Sequence, residues 1–166
     1  MKNILIVSAT SGKNYKLATE IELLLSTKNI NYKLINLDNF SIPLYSPLIE
    51  EKTESKDIKK IDGLFQKADS FIFCAPEYNG SIPPILTNII AWISVKSPNW
   101  RSAFNGKSAL ICTHSGGAGN NLISSLRTQL NHLGTIVIPK TISKTNNEPL
   151  KEELASKILD QLISII

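Results

Sequence analysis

Three short segments of this sequence carry residues able to grip a ligand, and each follows an apolar run. The first, Ser8-Ala9-Thr10-Ser11-Gly12-Lys13-Asn14, offers three hydroxyls, a glycine, a lysine and an amide. Free N–H groups at the start of a following helix, with the positive end of its dipole, favour a phosphate there. A plain helix cap from Ser11 or Asn14 would use the same residues. The segment has neither a dinucleotide-type glycine triplet nor Walker spacing. The second, Pro76-Glu77-Tyr78-Asn79-Gly80, combines a proline that fixes the chain with a glycine that lets backbone come close to a flat ligand. Tyr78 can pack beside such a ring and Asn79 can bond to it, while a surface turn with a solvated Glu77 is the alternative. The third runs Thr113-His114-Ser115-Gly116-Gly117-Ala118-Gly119-Asn120-Asn121. Gly116, Gly117 and Gly119 suit close backbone approach to a ligand better than an ordinary linker, because glycine raises the entropy lost on ordering. His114 has no evident carboxylate partner and reads as a packed or capping residue, and His132 as a surface or core residue. No paired carboxylates and no nucleophile–base arrangement occur, so no residue is assigned as catalytic.

The elements that must position these segments alternate between strand and helix. Lys2–Ser8 is a continuous apolar strand of the kind buried on both faces of a parallel sheet. Leu17, Ile21, Leu24 and Leu25 then recur at helical spacing. Tyr32–Leu37 is a second strand, followed by a loop over Asn39–Ser55 with Pro43 and Pro47, and by a short charged helix ending near Gln66. Asp69–Ala75 is the third strand and Lys107–Thr113 the fourth. Between them, the helix after Pro84 is apolar on more than one face, so it needs either deep burial or a second subunit. Leu122, Leu126, Leu130 and Leu133 mark another helix, stopped by Gly134. Thr135–Ile138 is a fifth strand closed by Pro139, and a last helix starts around Pro149. Five strands alternating with helices imply one α/β domain over residues 1–166, with a parallel sheet and helices on both faces. Periodicity alone leaves the strand order open between 2-1-3-4-5 and a Rossmann variant. In either case a ligand belongs beyond the carboxyl ends of the strands, where all three segments fall.

The composition limits the alternatives. At 166 residues, 42% hydrophobic and 19% charged, the chain is long and apolar enough for a substantial core. No apolar stretch reaches membrane-spanning length, and no cleavage site follows the first strand, which makes the cytoplasm the expected compartment. The net charge of +4 comes from basic residues scattered among acidic ones without interleaved aromatics, which argues against nucleic acid as a partner. Cys74 and Cys112 lie inside strand-like runs and read as buried small hydrophobes, and no metal spacing is present.

With these residues in place, the sequence resembles the NADPH-dependent FMN reductase family of the flavodoxin-like superfold. The match is strongest from Ala68 to Trp92, centred on PEYNGS-IP, with Leu86, Asn88 and Ala91-Trp92 in the helix that follows. Asn14-Tyr15-Lys16-Leu17-Ala18, Pro43-Leu44-Tyr45, the Ser115–Gly119 loop and His132-Leu133-Gly134 also match. The resemblance implies a three-layer sandwich of strand order 2-1-3-4-5 that holds FMN noncovalently. The FMN phosphate would sit on Ser8–Asn14 and its ring between Pro76–Gly80 and Ser115–Gly119. Family members pass a hydride from NADPH or NADH to flavin N5 and then electrons to a small-molecule acceptor: a quinone, azo compound, metal oxyanion or free flavin. A flavodoxin-like electron carrier is the alternative. The two-faced apolar helix points to a homodimer or homotetramer. The chain departs from the family pattern in its first loop, which is one residue shorter, has Val7 for a glycine and lacks the arginine, leaving Lys13 as the cation. Pro84, Thr87 and Ala91 replace a glycine, a lysine and an acidic residue.

Overall fold

Residues 1–166 are described by a computed structural model. Its five strands are β1 (Asn3–Ser8), β2 (Asn31–Asn36), β3 (Ser70–Cys74), β4 (Ser108–His114) and β5 (Ile136–Lys144). They form one all-parallel sheet in the order β2-β1-β3-β4-β5, which resolves the order that periodicity left open. The helices are α1 (Lys13–Leu25), α2 (Pro47–Glu50), α3 (Lys56–Lys67), α4 (Pro84–Lys96), α5 (Asn120–His132) and α6 (Glu152–Ile163). The segment 39–55 is not wholly loop. A 3-10 turn at Leu37–Asn39 and the single turn of α2, opened by Pro47, interrupt it.

Successive strand residues point to opposite faces, and each face carries its own core. Leu5, Val7, Phe71, Phe73, Ala109 and Ile111 pack with α3, α4 and α5. Ile4, Ile6, Ile72, Cys74, Leu110 and Cys112 pack with α1 and α6. Burying both faces requires near-continuous apolar strands, as seen in Ser70–Cys74, which is buried at every position.

One strand differs from the sequence expectation. β5 does not stop at Pro139 but continues to Lys144. Its pairing with β4 shifts between Ala109, opposite Val137, and Ile111, opposite Thr141. Four residues on β5 therefore span two on β4, and Pro139 sits in that irregularity on an edge strand, where a missing N–H is tolerated. The Arg127 guanidinium of α5 donates to the carbonyls of Val137 (3.1 Å), Ile138 (2.9 Å) and Pro139 (3.3 Å), bracing the irregularity from the helix side. For α4, expected to need either deep burial or a second subunit, the structure shows burial. Ile89 and Ile93 are core residues, each 1% exposed, and the other apolar side is roofed by the Pro43–Tyr45 segment. Pro43 O accepts from Trp92 Nε1 (2.7 Å) and Asn88 Nδ2 (3.0 Å), Tyr45 N–H donates to Asn88 Oδ1 (2.8 Å), and the Tyr45 and Trp92 rings meet edge-on at 5.2 Å. Burial within one chain thus accounts for much of this helix's apolar character.

Candidate functional site

Parallel strands deliver all their carboxyl ends to one edge, and the segments after β1, β3 and β4 meet there. After β1, Gly12 adopts φ +84°, ψ −129°, a conformation that suits glycine, and it opens α1 without any side-chain cap. The N–H groups of Gly12, Lys13 and Asn14 find no acceptor in the chain. The Asn14 side chain, 2% exposed, is occupied elsewhere. It donates to His114 O and accepts from His114 N–H, both at 2.8 Å, pinning α1 to the end of β4. Ser8 is buried, its hydroxyl closed onto Thr10 O at 2.8 Å. Ser11 faces β2: its N–H donates to Asp38 Oδ2 at 2.5 Å, and its hydroxyl accepts from Asn36 Nδ2 at 2.9 Å. Of the first segment's side chains, Lys13 reaches furthest, donating to Asn146 Oδ1 at 2.7 Å.

After β3, Tyr78 and Ser81 exchange N–H···O bonds of 3.1 and 3.0 Å around Asn79 and Gly80. Both central residues have positive φ, +49° and +69°, the backbone twist of a two-residue primed turn for which Asn-Gly is the preferred pair. Pro76 is buried and Tyr78 is 49% exposed. Glu77 is not a solvated side chain. Its carboxylate accepts from the N–H groups of Asn121 (3.0 Å) and Leu122 (3.1 Å), capping α5 from another loop. Its own N–H donates to Ser115 Oγ at 2.9 Å.

After β4, Ser115 Oγ also pairs with Thr113 Oγ1 at 2.8 Å, so Ser115 links the strand end to Glu77. The three glycines have different tasks. Gly119 begins α5 at φ +72°, and a Cβ there would lie 2.8 Å from Thr113 Cγ2. That glycine serves packing. Around Gly116 and Gly117 no atom lies within 4 Å of an added Cβ, so their backbone faces open space beside Ala118. Ser143 Oγ donates to Ala118 O at 2.9 Å and steadies the loop from β5. His114 Nε2 lies 3.3 Å from Asn146 Oδ1, while its buried Nδ1 has no partner.

The structure therefore joins the three segments physically, through Asn14 to His114 and Glu77 to Ser115. It separates side chains that brace the loops (Ser8, Ser11, Asn14, Glu77, Ser115) from backbone open to a ligand (Gly12–Asn14, Asn79–Gly80, Gly116–Ala118). Three contributors lie outside the segments singled out from sequence: Asn36, Asp38 and Asn146. A partial signal existed for Asn36 and Asp38, since Asx residues at a strand end favour a local turn, and Asp38 N–H does donate to Asn36 Oδ1 at 3.1 Å. Five surface concavities of about 130 to 520 Å³ include no residue of the three loops, although one of about 220 Å³ takes in Ser143 beside Ala118. The loops thus form an open shelf. Beneath it, Cys74 and Cys112 are register partners on β3 and β4, both fully buried. Burial, reinforced by the neighbouring Cys74 thiol, pushes the Cys112 thiol well up from its ordinary range. At the flank, Tyr45 donates to Glu50 at 2.8 Å, and that bond to a carboxylate holds its phenol above the usual range.

A flavin nucleotide fits this donor set. The unpaired N–H groups at Gly12–Asn14 suit a phosphate, and the backbone of the other two loops suits a planar heterocycle. A family model described as NADPH-dependent FMN reductase matches residues 1–148. A curated quinone reductase of Pseudomonas putida is 30% identical over 94 residues, covering 57% of this chain but only 48% of that protein. The chain therefore matches about half the length of that relative. Among solved structures, FerB from Paracoccus denitrificans, a flavoenzyme NAD(P)H:(acceptor) oxidoreductase, superposes with a TM-score of 0.81 at 18% identity, covering 99% of this chain and 96% of that one. An FMN-dependent NADH-azoreductase from Bacillus anthracis, in complex with FMN, superposes with a TM-score of 0.67 at 16% identity, covering 98% of both chains. At such identities these structural likenesses establish the shared flavodoxin-like fold.

Proposed function

This chain belongs to the NADPH-dependent FMN reductase family, and from that premise we propose that it is an FMN-dependent NAD(P)H oxidoreductase acting on a small-molecule acceptor. The observation that carries the reading is the shelf itself, three loops tied together by their own side chains with their backbone N–H groups turned outward. FMN, when bound, would supply the redox chemistry with NAD(P)H as the two-electron donor, and with a quinone the overall balance would be NAD(P)H, a proton and quinone going to NAD(P)⁺ and hydroquinone. The acceptor class is a quinone, azo compound, metal oxyanion or free flavin.

The residues of the chain bind and orient. Gly12, Lys13 and Asn14 present N–H groups and a helix dipole to the phosphate. Backbone at Asn79–Gly80 and Gly116–Ala118 flanks the ring, with Tyr78 beside it. Glu77, Ser115 and Asn14 hold these loops in register. None of the side chains on the shelf is arranged as a general acid or base, in keeping with a reaction whose bond changes belong to the cofactor and its substrates. Leu44, on the segment that roofs α4, and Leu48, on α2, are 76% and 85% exposed, which supports a homodimer or homotetramer in which another subunit covers apolar surface.

The test is spectroscopic. Purified protein titrated with FMN should quench flavin fluorescence, and NADPH or NADH should then bleach the oxidised flavin band anaerobically, with colour returning on adding a quinone. A protein that binds FMN but cannot be reduced by either nicotinamide would refute the enzymatic reading.

A further inference from the structure

A carboxylate from outside the first loop stands against it, where a phosphate-binding loop would be expected to concentrate positive charge. Asp38 lies just past β2, and its Oδ2 accepts the Ser11 N–H at 2.5 Å, one residue before the unpaired N–H groups of Gly12–Asn14. It is not a wandering surface acid. Asn36, only 7% exposed, fixes it by accepting the Asp38 N–H at 3.1 Å, and the same Asn36 donates to Ser11 Oγ at 2.9 Å. Asn36, Asp38 and Ser11 thus form one braced unit that holds the carboxylate against the loop.

The opposing charge is thin. Lys13 is the loop's one cation, its Nζ is already bonded to Asn146 Oδ1 at 2.7 Å, and it acts as a point charge rather than a bidentate fork. Lys144, at the end of neighbouring β5, is neutralised by Glu20 at 2.6 and 2.8 Å. The α5 N-terminus is the other dipole on this edge, and Glu77 occupies it. Lys13 and Asp38 cancel, so backbone dipoles alone remain to attract a phosphate, and a dianion placed there faces a like charge.

Resting on the flavin reading above, we propose that Asp38 is a specificity determinant of the flavin site: its braced carboxylate weakens binding of a phosphorylated flavin, narrows discrimination between FMN and riboflavin, and makes the flavin readily exchangeable. The chemistry is repulsion between the carboxylate and the phosphate, and riboflavin has no phosphate for it to act on.

The experiment compares FMN and riboflavin titrations, followed by flavin fluorescence, in the wild type, Asp38→Asn and Asp38→Glu. Asn keeps an oxygen for the Ser11 N–H while removing the charge. The FMN Kd is expected to fall about three- to tenfold in Asp38→Asn, with the riboflavin Kd changing less than about twofold. The gap between variants should shrink at about 0.5 M salt, as screening requires. Asp38→Glu should keep the wild-type ratio of the two constants. An FMN Kd that is unchanged or higher in Asp38→Asn overturns the inference, while flavin binding itself stands. If neither flavin binds any of the proteins, the flavin reading falls and this inference with it. Asp38→Ser serves in the same comparison should Asp38→Asn fail to fold, which circular dichroism would reveal.

Discussion

Glu77 holds the loops after β3 and β4 together through three hydrogen bonds, two accepted by its carboxylate and one donated by its backbone. Its carboxylate serves the first turn of α5, where N–H groups otherwise lack partners and the helix dipole favours a negative charge. Glu77→Ala should therefore lower stability by about 1–2 kcal/mol, the usual scale for a lost helix cap, read as a shift in denaturant midpoint. It should also weaken FMN binding, because the Pro76–Gly80 loop loses its hold on α5. Glu77→Gln, which keeps one acceptor oxygen, should recover part of both effects, and equal losses in Ala and Gln would argue that charge alone matters. At this scale the sequence was legible where chemistry is local. Asn79-Gly80 reads as a tight turn from two residues, and it is one. The roles of Glu77 and Asn14 were not legible, because their partners lie 44 and 100 residues further along and only the parallel sheet brings them together. Gly119 shows the converse: a glycine read as making room for a ligand makes room for Thr113.

Among the elements, β5 shows where pattern reading stops. A proline in an apolar run reads as the end of a strand because it removes a ladder donor. Here the strand lies at the sheet edge, the register shifts by two residues, and Arg127 from the preceding helix takes up three carbonyls around the proline. None of these three conditions is visible within the run itself. Arg127→Met keeps much of the stem's packing while removing the donors, and it should cost about 1–3 kcal/mol, since carbonyls facing the helix lose their partners. Amide exchange should accelerate first in Ile138–Ser143, with FMN affinity unchanged within about twofold. Uniform acceleration across all five strands would instead mean that Arg127 supports global packing rather than this edge. The other boundaries lay within a few residues of the structure because long apolar strands and leucine-spaced helices dominate their local sequence.

For the whole molecule, alternating elements made an α/β sheet legible, while strand order came from the family resemblance and not from any periodicity. Assembly is the level at which residue pattern is least decisive. The apolar excess of α4 is divided between the core, where Ile89 and Ile93 are each 1% exposed, and the Pro43–Tyr45 roof over Trp92. A charge at Ile89 or Ile93 would therefore unfold the protein and could not report on association. What remains outside is Leu44 and Leu48, at 76% and 85% exposure, on the roofing segment and the turn of α2. Burying two such leucines against another copy contributes on the order of 1.5–3 kcal/mol per side chain, enough for charge there to break a modest interface. Light scattering of the wild type should give two or four times the chain mass, and Leu44→Glu/Leu48→Glu should reduce it while circular dichroism and the thermal midpoint stay close to wild type. If subunits also cover the shelf, the same variant should bind FMN more weakly in step with the loss of mass. A wild type that scatters as a single chain over the micromolar range would rule the oligomer out, and a folded double variant that keeps its mass would move the interface away from α4.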